Sequence, residues 1–552
     1  MTAMKTFEDV QVWLPGAIRP ADTVIDGYRR LGLWHDEHLL THLERHRRQR
    51  PDATALLGFH AEGPADVVSW SRYAAEVERY ASALRALGVG PGQVVAVQMP
   101  NRWETAALML AVMHTGAILA PLVTALRGRE LEKMLVQLRA TVVVTVGEWA
   151  GFDHASSLAG MADRLPHLRH RVVLGSKSAD EFDFDAHFRN TDWTADFPAP
   201  LADSAADPDN VAVVLFTSGT TGEPKAVLHT ANTLLAGAAP VVNEDKLGAG
   251  DVSYNPHNLT HIFGITTGLA FPLLSGGSAV LLDTWSPARA AQIIRDTRVT
   301  VFSGAAIFLE AVFRVADDLS SLRMVCCGAA PVPPKLVREI HAKLGVPLRA
   351  GWGMTEVPLG TFTRSDDPAD HATISDGRPA ASLELDLRVE GTISRENPAR
   401  LFVRGAALCI ALVGRDTGTV HVLAEHDGGW FDTGDLVLPD GHGGIRLAGR
   451  AADRIGGILM VPVLDVEAEL MRHPAVADVA VVGYEDEHGH DAPCAVVVPA
   501  GEPPTLAGLR AYLDGVGMTE FYQPTRLELM PVLPRNLSGK VLKRELREGL
   551  RG

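Results

Sequence analysis

Val211-Ala212-Val213-Val214-Leu215-Phe216-Thr217-Ser218-Gly219-Thr220-Thr221-Gly222-Glu223-Pro224-Lys225 changes character halfway along. The first six residues read as a buried strand, and the other nine are mostly hydroxyls and glycines with one lysine, the composition of a turn. Glycine lets backbone N–H groups approach an anion closely, and the hydroxyls of Thr217, Ser218, Thr220 and Thr221 add donors. Lys225 adds a point charge with no acceptor atom to repel a phosphate. Pro224 keeps the loop from continuing as a helix. The spacing is not that of the Gly-x-x-x-x-Gly-Lys-Ser/Thr loop. A polar surface loop is the competing reading of any such cluster, so the flanking sequence has to decide.

Upstream, the pattern predicts a helix over Tyr73 to Leu87, a strand over Val94 to Met99, a helix over Glu104 to Thr115 and short strands near Ile118 and Val142. Leu39 to Arg50 reads as a solvated basic helix, and Gly175 to Asp207, acidic and short of aliphatic residues, as a surface connection into the signature strand. Downstream, strands Ala279 to Asp283, Thr300 to Ser303, Arg323 to Cys327 and Pro347 to Ala350 alternate with helices Pro287 to Asp296, Ala306 to Ala316 and Pro333 to Leu344. Such alternation predicts α/β layers with parallel sheet. Two of these strands lead into glycine-bearing loops, Gly328-Ala329-Ala330 and Gly351 to Glu356, where ligands of open α/β sheets bind. From Leu401 the pattern turns to short β segments. Beyond Arg450 lies an α+β tail with helices Pro462 to His473 and Thr505 to Leu513 and strands Val476 to Gly483 and Pro493 to Val498. The expected division is a large domain over 1–448, a hinge over 449–453 and a lid domain over 454–552.

With 552 residues, 46% hydrophobic and 21% charged, the chain has room for several cores of an ordinary globular protein. A net charge of −16 without a basic tract argues against nucleic acid or an anionic membrane as partner. Met1 to Asp9 lacks a signal-peptide core and no stretch approaches a membrane span, so the expected location is cytoplasmic. Cys326, Cys327, Cys409 and Cys494 have no metal-ligand spacing and read as buried thiols.

Five motifs then occur in order: Thr217 to Lys225, Gly351 to Glu356, Asp432 to Leu436, Gly449-Arg450 and Pro534-Arg535-Asn536-Leu537-Ser538-Gly539-Lys540. Together they resemble the adenylate-forming superfamily over nearly the whole chain, and Leu281 to Arg289 is similar to acyl- and cyclohexanecarboxylate-CoA ligases. The resemblance implies an α/β fold with a β-rich portion and a small mobile α+β C-terminal domain. It implies ATP and Mg²⁺, a small carboxylic acid activated as its adenylate, and CoA or a carrier-protein thiol as acceptor. Two anions must meet in that chemistry, so positive charge and positioning carry it. Thr217, Ser218, Gly219, Thr220, Thr221, Gly222 and Lys225 would hold the terminal phosphates, Thr355 the α-phosphate, and Glu356 the metal. Trp352 would lie against adenine, with Gly328, Ala329 and Ala330 on its other side and Gly351, Gly353 and Met354 around it. Asp435 would accept from the ribose, Arg450 would help hold the nucleotide, and Lys540 would bridge the attacking carboxylate and the α-phosphate. Asp432 would brace its own turn.

The substrate pocket implied by the resemblance involves Asn255, His257, Asn258, His261, Gly264, Gly304, Ala305, Ala329 and Met354. His257 and His261, four apart, would share a helix face, which raises a metal site for which no third ligand is apparent. Their polarity, with that of Asn255 and Asn258, suits a substituted aromatic or cyclic acid better than a plain fatty chain. The chain departs from the family at the pivot, where Ala452 stands in place of Asp or Lys, and in the shortened loop after Asp453. Two further readings stay open. One is a diazotising relative that activates nitrite and joins it to an aryl amine without CoA; the other is a nucleotide binder without turnover.

Overall fold

The computed structural model describes residues 5–6, 13–14, 16–176, 178, 180–217, 225–328, 332–414, 418–450, 455, 461, 463–486, 491–516, 518, 520–536 and 539–550. Among them, two large sheets carry the first four-fifths of the chain. In the ten-stranded sheet, Val94–Gln98, Ile118–Pro121 and Val142–Val146 run parallel and are buried along their length, as interior parallel strands are. Helix Trp103–His114, apolar nearly all round, is buried at every position. In the nine-stranded sheet, six parallel strands from Thr54–Phe59 to Leu348–Met354 are flanked by antiparallel edges. A four-stranded antiparallel sheet, Leu383–Arg388, Ala399–Gly405, Phe431–Pro439 and Ile445–Arg450, supplies the expected β-rich portion.

The small C-terminal domain packs helices Val463–Leu470, Leu506–Gly515 and Lys543–Leu550 on a three-stranded sheet. Its first helix is shorter than the predicted Pro462 to His473. Gly449 and Arg450 still belong to strand Ile445–Arg450, whereas 451–454, with the Ala452 pivot, lie outside the described residues.

Two expectations need correction. The stretch from Gly175 to Asp207 is no simple surface connection. It adds strand Phe182–Asp183 to the sheet and inserts Phe184 and Phe188, stacked at 4.9 Å, edge-on to Tyr80. Aromatic residues four apart on one helical turn form a compact plug, a pattern that overall polarity concealed. Helix Leu39–Gln49 is likewise half core, burying Leu39, Leu40, Leu43 and both His42 and His46. Among the described residues no helix is long and apolar enough to cross a membrane.

Candidate active site

The signature strand Val211–Thr217 pairs antiparallel with Lys225–Thr230, and Thr217 faces Lys225 across the pair. The two ends of the glycine-rich loop are therefore held side by side, although 218–224 lie outside the described residues. Lys225 lines a cavity of about 1150 Å³ that also reaches Thr355, Glu356, Asp435 and Lys540.

A second hairpin brings Thr355 and Glu356 there. Strand Leu348–Met354 runs parallel to Met324–Cys327 as far as Ala350, then folds antiparallel on Val357–Phe362, with Met354 opposite Val357. Gly351 to Met354, expected as a loop, is thus strand, and Thr355-Glu356 is its two-residue tip. The glycines fit tight pairing: a Cβ on Gly353 would meet the Pro358 carbonyl at 2.8 Å, and one on Gly360 would run into the Trp352 ring. Both tip carbonyls are pinned. His229 Nε2 donates to Thr355 O at 2.7 Å, and the Cys409 N–H donates to Glu356 O at 2.8 Å. Burial lowers the pKa of His229 to about 4, so the ring is neutral and its Nδ1 accepts from the Thr233 hydroxyl at 3.0 Å. Neither contact was foreseen. The one signal was a histidine inside the apolar run Ala226 to Thr230.

Asp435 lies on Phe431–Pro439 directly opposite Arg450, and its Oδ2 accepts from Trp352 Nε1 at 2.9 Å. Trp352 is only 4% exposed and packs in the core of the β-rich portion. Trp352, expected to lie against adenine, is thus a braced core residue that also lines the cavity. Asp432 does brace its turn, accepting from Gly434 N and from Arg400. Gly328 sits where a Cβ would come 3.1 Å from the Gly351 carbonyl, while Ala329 and Ala330 lie outside the described residues. Lys540 is exposed, on a loop closed by Asn536, which takes the Lys540 N–H at 2.9 Å on its side chain and donates its own N–H to the Lys540 carbonyl at 2.8 Å.

The acid side differs more. His257 and His261 lie in an irregular loop rather than on one helix, with rings 5.7 Å apart and nearly parallel. His257 Nε2 accepts from Ala305 N at 3.2 Å, and His261 Nδ1 accepts from Phe263 N at 3.2 Å. Burial lowers them to about 3 and about 4, leaving His261 a neutral Nε2–H donor at the cavity. No group of three His, Cys, Asp or Glu among the described residues could hold a metal. Asn255 is a brace, bonded to Phe263 O, Thr267 and His257 N, and Asn258 is exposed. Gly264 is required by packing, since a Cβ there would collide with the Asn258 carbonyl. Gly304 and Ala305 back the histidine loop, while Met354 lines the cavity. Cys326 also lines it as a thiol, its pKa raised by burial to about 12.

The model of the AMP-binding enzyme family matches residues 43–410, and that of the AMP-binding enzyme C-terminal domain matches 465–540. A methyl-dioxo-octahydroindenyl-propanoyl:CoA ligase of Mycobacterium tuberculosis is 32% identical over 92% of this chain and 97% of its own. The 2-hydroxy-7-methoxy-5-methyl-1-naphthoate–CoA ligase of Streptomyces carzinostaticus is 31% identical over 95% of each. Among solved structures, the anthranilate CoA ligase AuaEII with anthranoyl-AMP superposes with a TM-score of 0.80 at 25% identity, covering 94% of this chain and 97% of that one. Two paired strands that close a Ser/Thr/Gly loop on Lys225, a Thr-Glu hairpin tip and a C-terminal lysine on one cavity thus agree with the sequence matches, and the chain belongs to the AMP-binding enzyme family of ATP-dependent adenylate-forming ligases.

Proposed function

We propose that the protein activates a cyclic or aromatic carboxylic acid as its adenylate and passes the acyl group to the thiol of CoA or of a carrier protein. A carboxylate oxygen attacks the α-phosphorus of ATP as the bond to the β-phosphate breaks and pyrophosphate leaves. The thiol sulfur then displaces AMP from the acyl carbon. One observation carries this reading: Lys225, Lys540, Glu356 and Asp435 line the same cavity as the apolar Phe263, Phe271, Met324 and Leu359. Lys225 and Lys540 bring cations to a protein of net charge −16, where two anions have to approach. Glu356, a hard oxygen donor on a tip fixed through its own carbonyl, fits Mg²⁺, which neutralises phosphate charge when bound. Asp435 fits the ribose hydroxyls as an acceptor. The apolar lining suits rings, in keeping with the indenyl, naphthoate and anthranilate relatives.

The test is pyrophosphate release from Mg-ATP with naphthoic, cyclohexanecarboxylic and aminobenzoic acids, with and without CoA, and with nitrite plus an aryl amine. Acid-dependent release with thioester formation is the expected result. Release that needs nitrite and ignores CoA would overturn it in favour of diazotisation.

A further inference from the structure

Strands Leu383–Arg388 and Ala399–Gly405 are joined by a hairpin whose tip is closed from both sides. Ser394 and Asn397 exchange backbone hydrogen bonds at 3.1 and 3.2 Å, and the Asn397 side chain donates to the Glu390 carbonyl at 2.9 Å. That closure leaves Arg395 and Glu396 as the two residues of the tip. Both are exposed, and both meet the small C-terminal domain. Arg395 Nη1 lies 3.6 Å from Asp465 Oδ2 on helix Val463–Leu470. Glu396 accepts from the Tyr522 hydroxyl and from that of Ser394, and Tyr522 is 8% exposed in the core of the small domain. A third contact lies beside Lys540. Ile307, 52% exposed on helix Ala306–Val315, faces Gly539, where a Cβ would stand 3.4 Å from Ile307 Cγ2.

We propose that the Arg395-Glu396 tip and Ile307 form a clasp that holds the small domain in the pose placing Lys540 at the cavity. Arg395 and Glu396 are then positioning residues for adenylation. The turn itself needs neither side chain, because the backbones of Ser394 and Asn397 close it. An exposed ion pair and an exposed hydrogen bond are each weak, and weakness suits this place. The cavity is walled by both domains, so nucleotide enters and leaves past the small one in every turnover. A contact that shifts the population a few-fold holds the pose without trapping it. The inference rests on Lys540 serving the adenylation step proposed above.

The experiment puts spin labels on the full chain through Ile374→Cys in the large domain and Val516→Cys in the small one, both exposed positions. Electron–electron resonance reads the distance between them with Mg-ATP present. An otherwise unaltered chain is expected to show one dominant distance. Arg395→Ala with Glu396→Ala is expected to lower its population, relative to all others, by about threefold to tenfold. In the unlabelled variant, kcat for pyrophosphate release is expected to fall by up to the same factor, with KM for the acid nearly unchanged. Arg395→Ala, Asp465→Ala and their combination form a cycle in which the double variant is expected to lose no more than either single one. Melting temperature confirms that each variant is folded. Distances unchanged by the substitutions, or losses that simply add in the cycle, would overturn the clasp. A broadened distribution with undiminished pyrophosphate release would overturn the positioning role. Absence of release from the wild type with every acid would instead overturn the adenylation reading and leave the clasp standing, because the distances report it without turnover.

Discussion

Lys540 is anchored through its backbone and reaches the cavity through its side chain. Asn536 fixes both its N–H and its carbonyl, while four methylenes carry the amine toward the site. Lys540→Ala is expected to lower pyrophosphate release by about a hundredfold or more while changing nucleotide affinity by less than about threefold, read from turnover and from calorimetry with ATP. Asp435→Asn is expected to act differently. It replaces a carboxyl acceptor by an amide and weakens the bond from Trp352, so KM for ATP should rise by about tenfold with a smaller change in kcat. At this scale short motifs singled out Lys225, Thr355, Glu356 and Lys540, and all four line one cavity. Asp245 and Arg349 are 104 positions apart and His229 and Thr355 126 apart, so no local pattern couples them.

The Thr355 hairpin is positioned by a neutral histidine on another strand. His229→Phe fills the space without a donor and is expected to lower kcat by about tenfold to a hundredfold with KM for the acid nearly unchanged, whereas His229→Gln, which can still donate, recovers much of it. An equal loss in both variants, tracked by melting temperature, would assign His229 to packing alone. Gly264→Ala is expected to destabilise the fold by about 1–3 kcal/mol in urea unfolding, because the new methyl must displace the Asn258 backbone. Element type was readable from alternation, and both large sheets obey it. Glycine-rich segments misled: the Gly351 to Glu356 run signals close strand approach rather than a loop. The histidine segment misled for the converse reason, since four-residue spacing implies one face only if the chain is helical there.

For the whole molecule, four buried histidines couple folding to acid. His42, His229, His257 and His261 have pKa values lowered by burial to about 4, about 4, about 3 and about 4, against an ordinary value of 6.5. Between those values and 6.5 the unfolded chain binds more protons than the folded one, so stability rises with pH. Their contribution is complete above about pH 6.5 and is lost as pH falls toward 4, by up to roughly four protons per molecule. The urea midpoint is expected to drop clearly from about pH 7 to about pH 5; an unchanged midpoint would mean that these rings are charged in the native state. Composition and charge could not show this, because which histidines are buried depends on tertiary packing.

Helix Ala231–Glu244 has the His229 strand at one end and Asp245 at the other, a rod of about 21 Å. On the proposed ligase reading it spans the distance from the hairpin tip that His229 braces to the Asp245–Arg349 pair on the cavity wall. Adding or removing one turn would shift that pair by about 5.4 Å relative to the tip, close to the length of one ring, and so change the room the cavity offers.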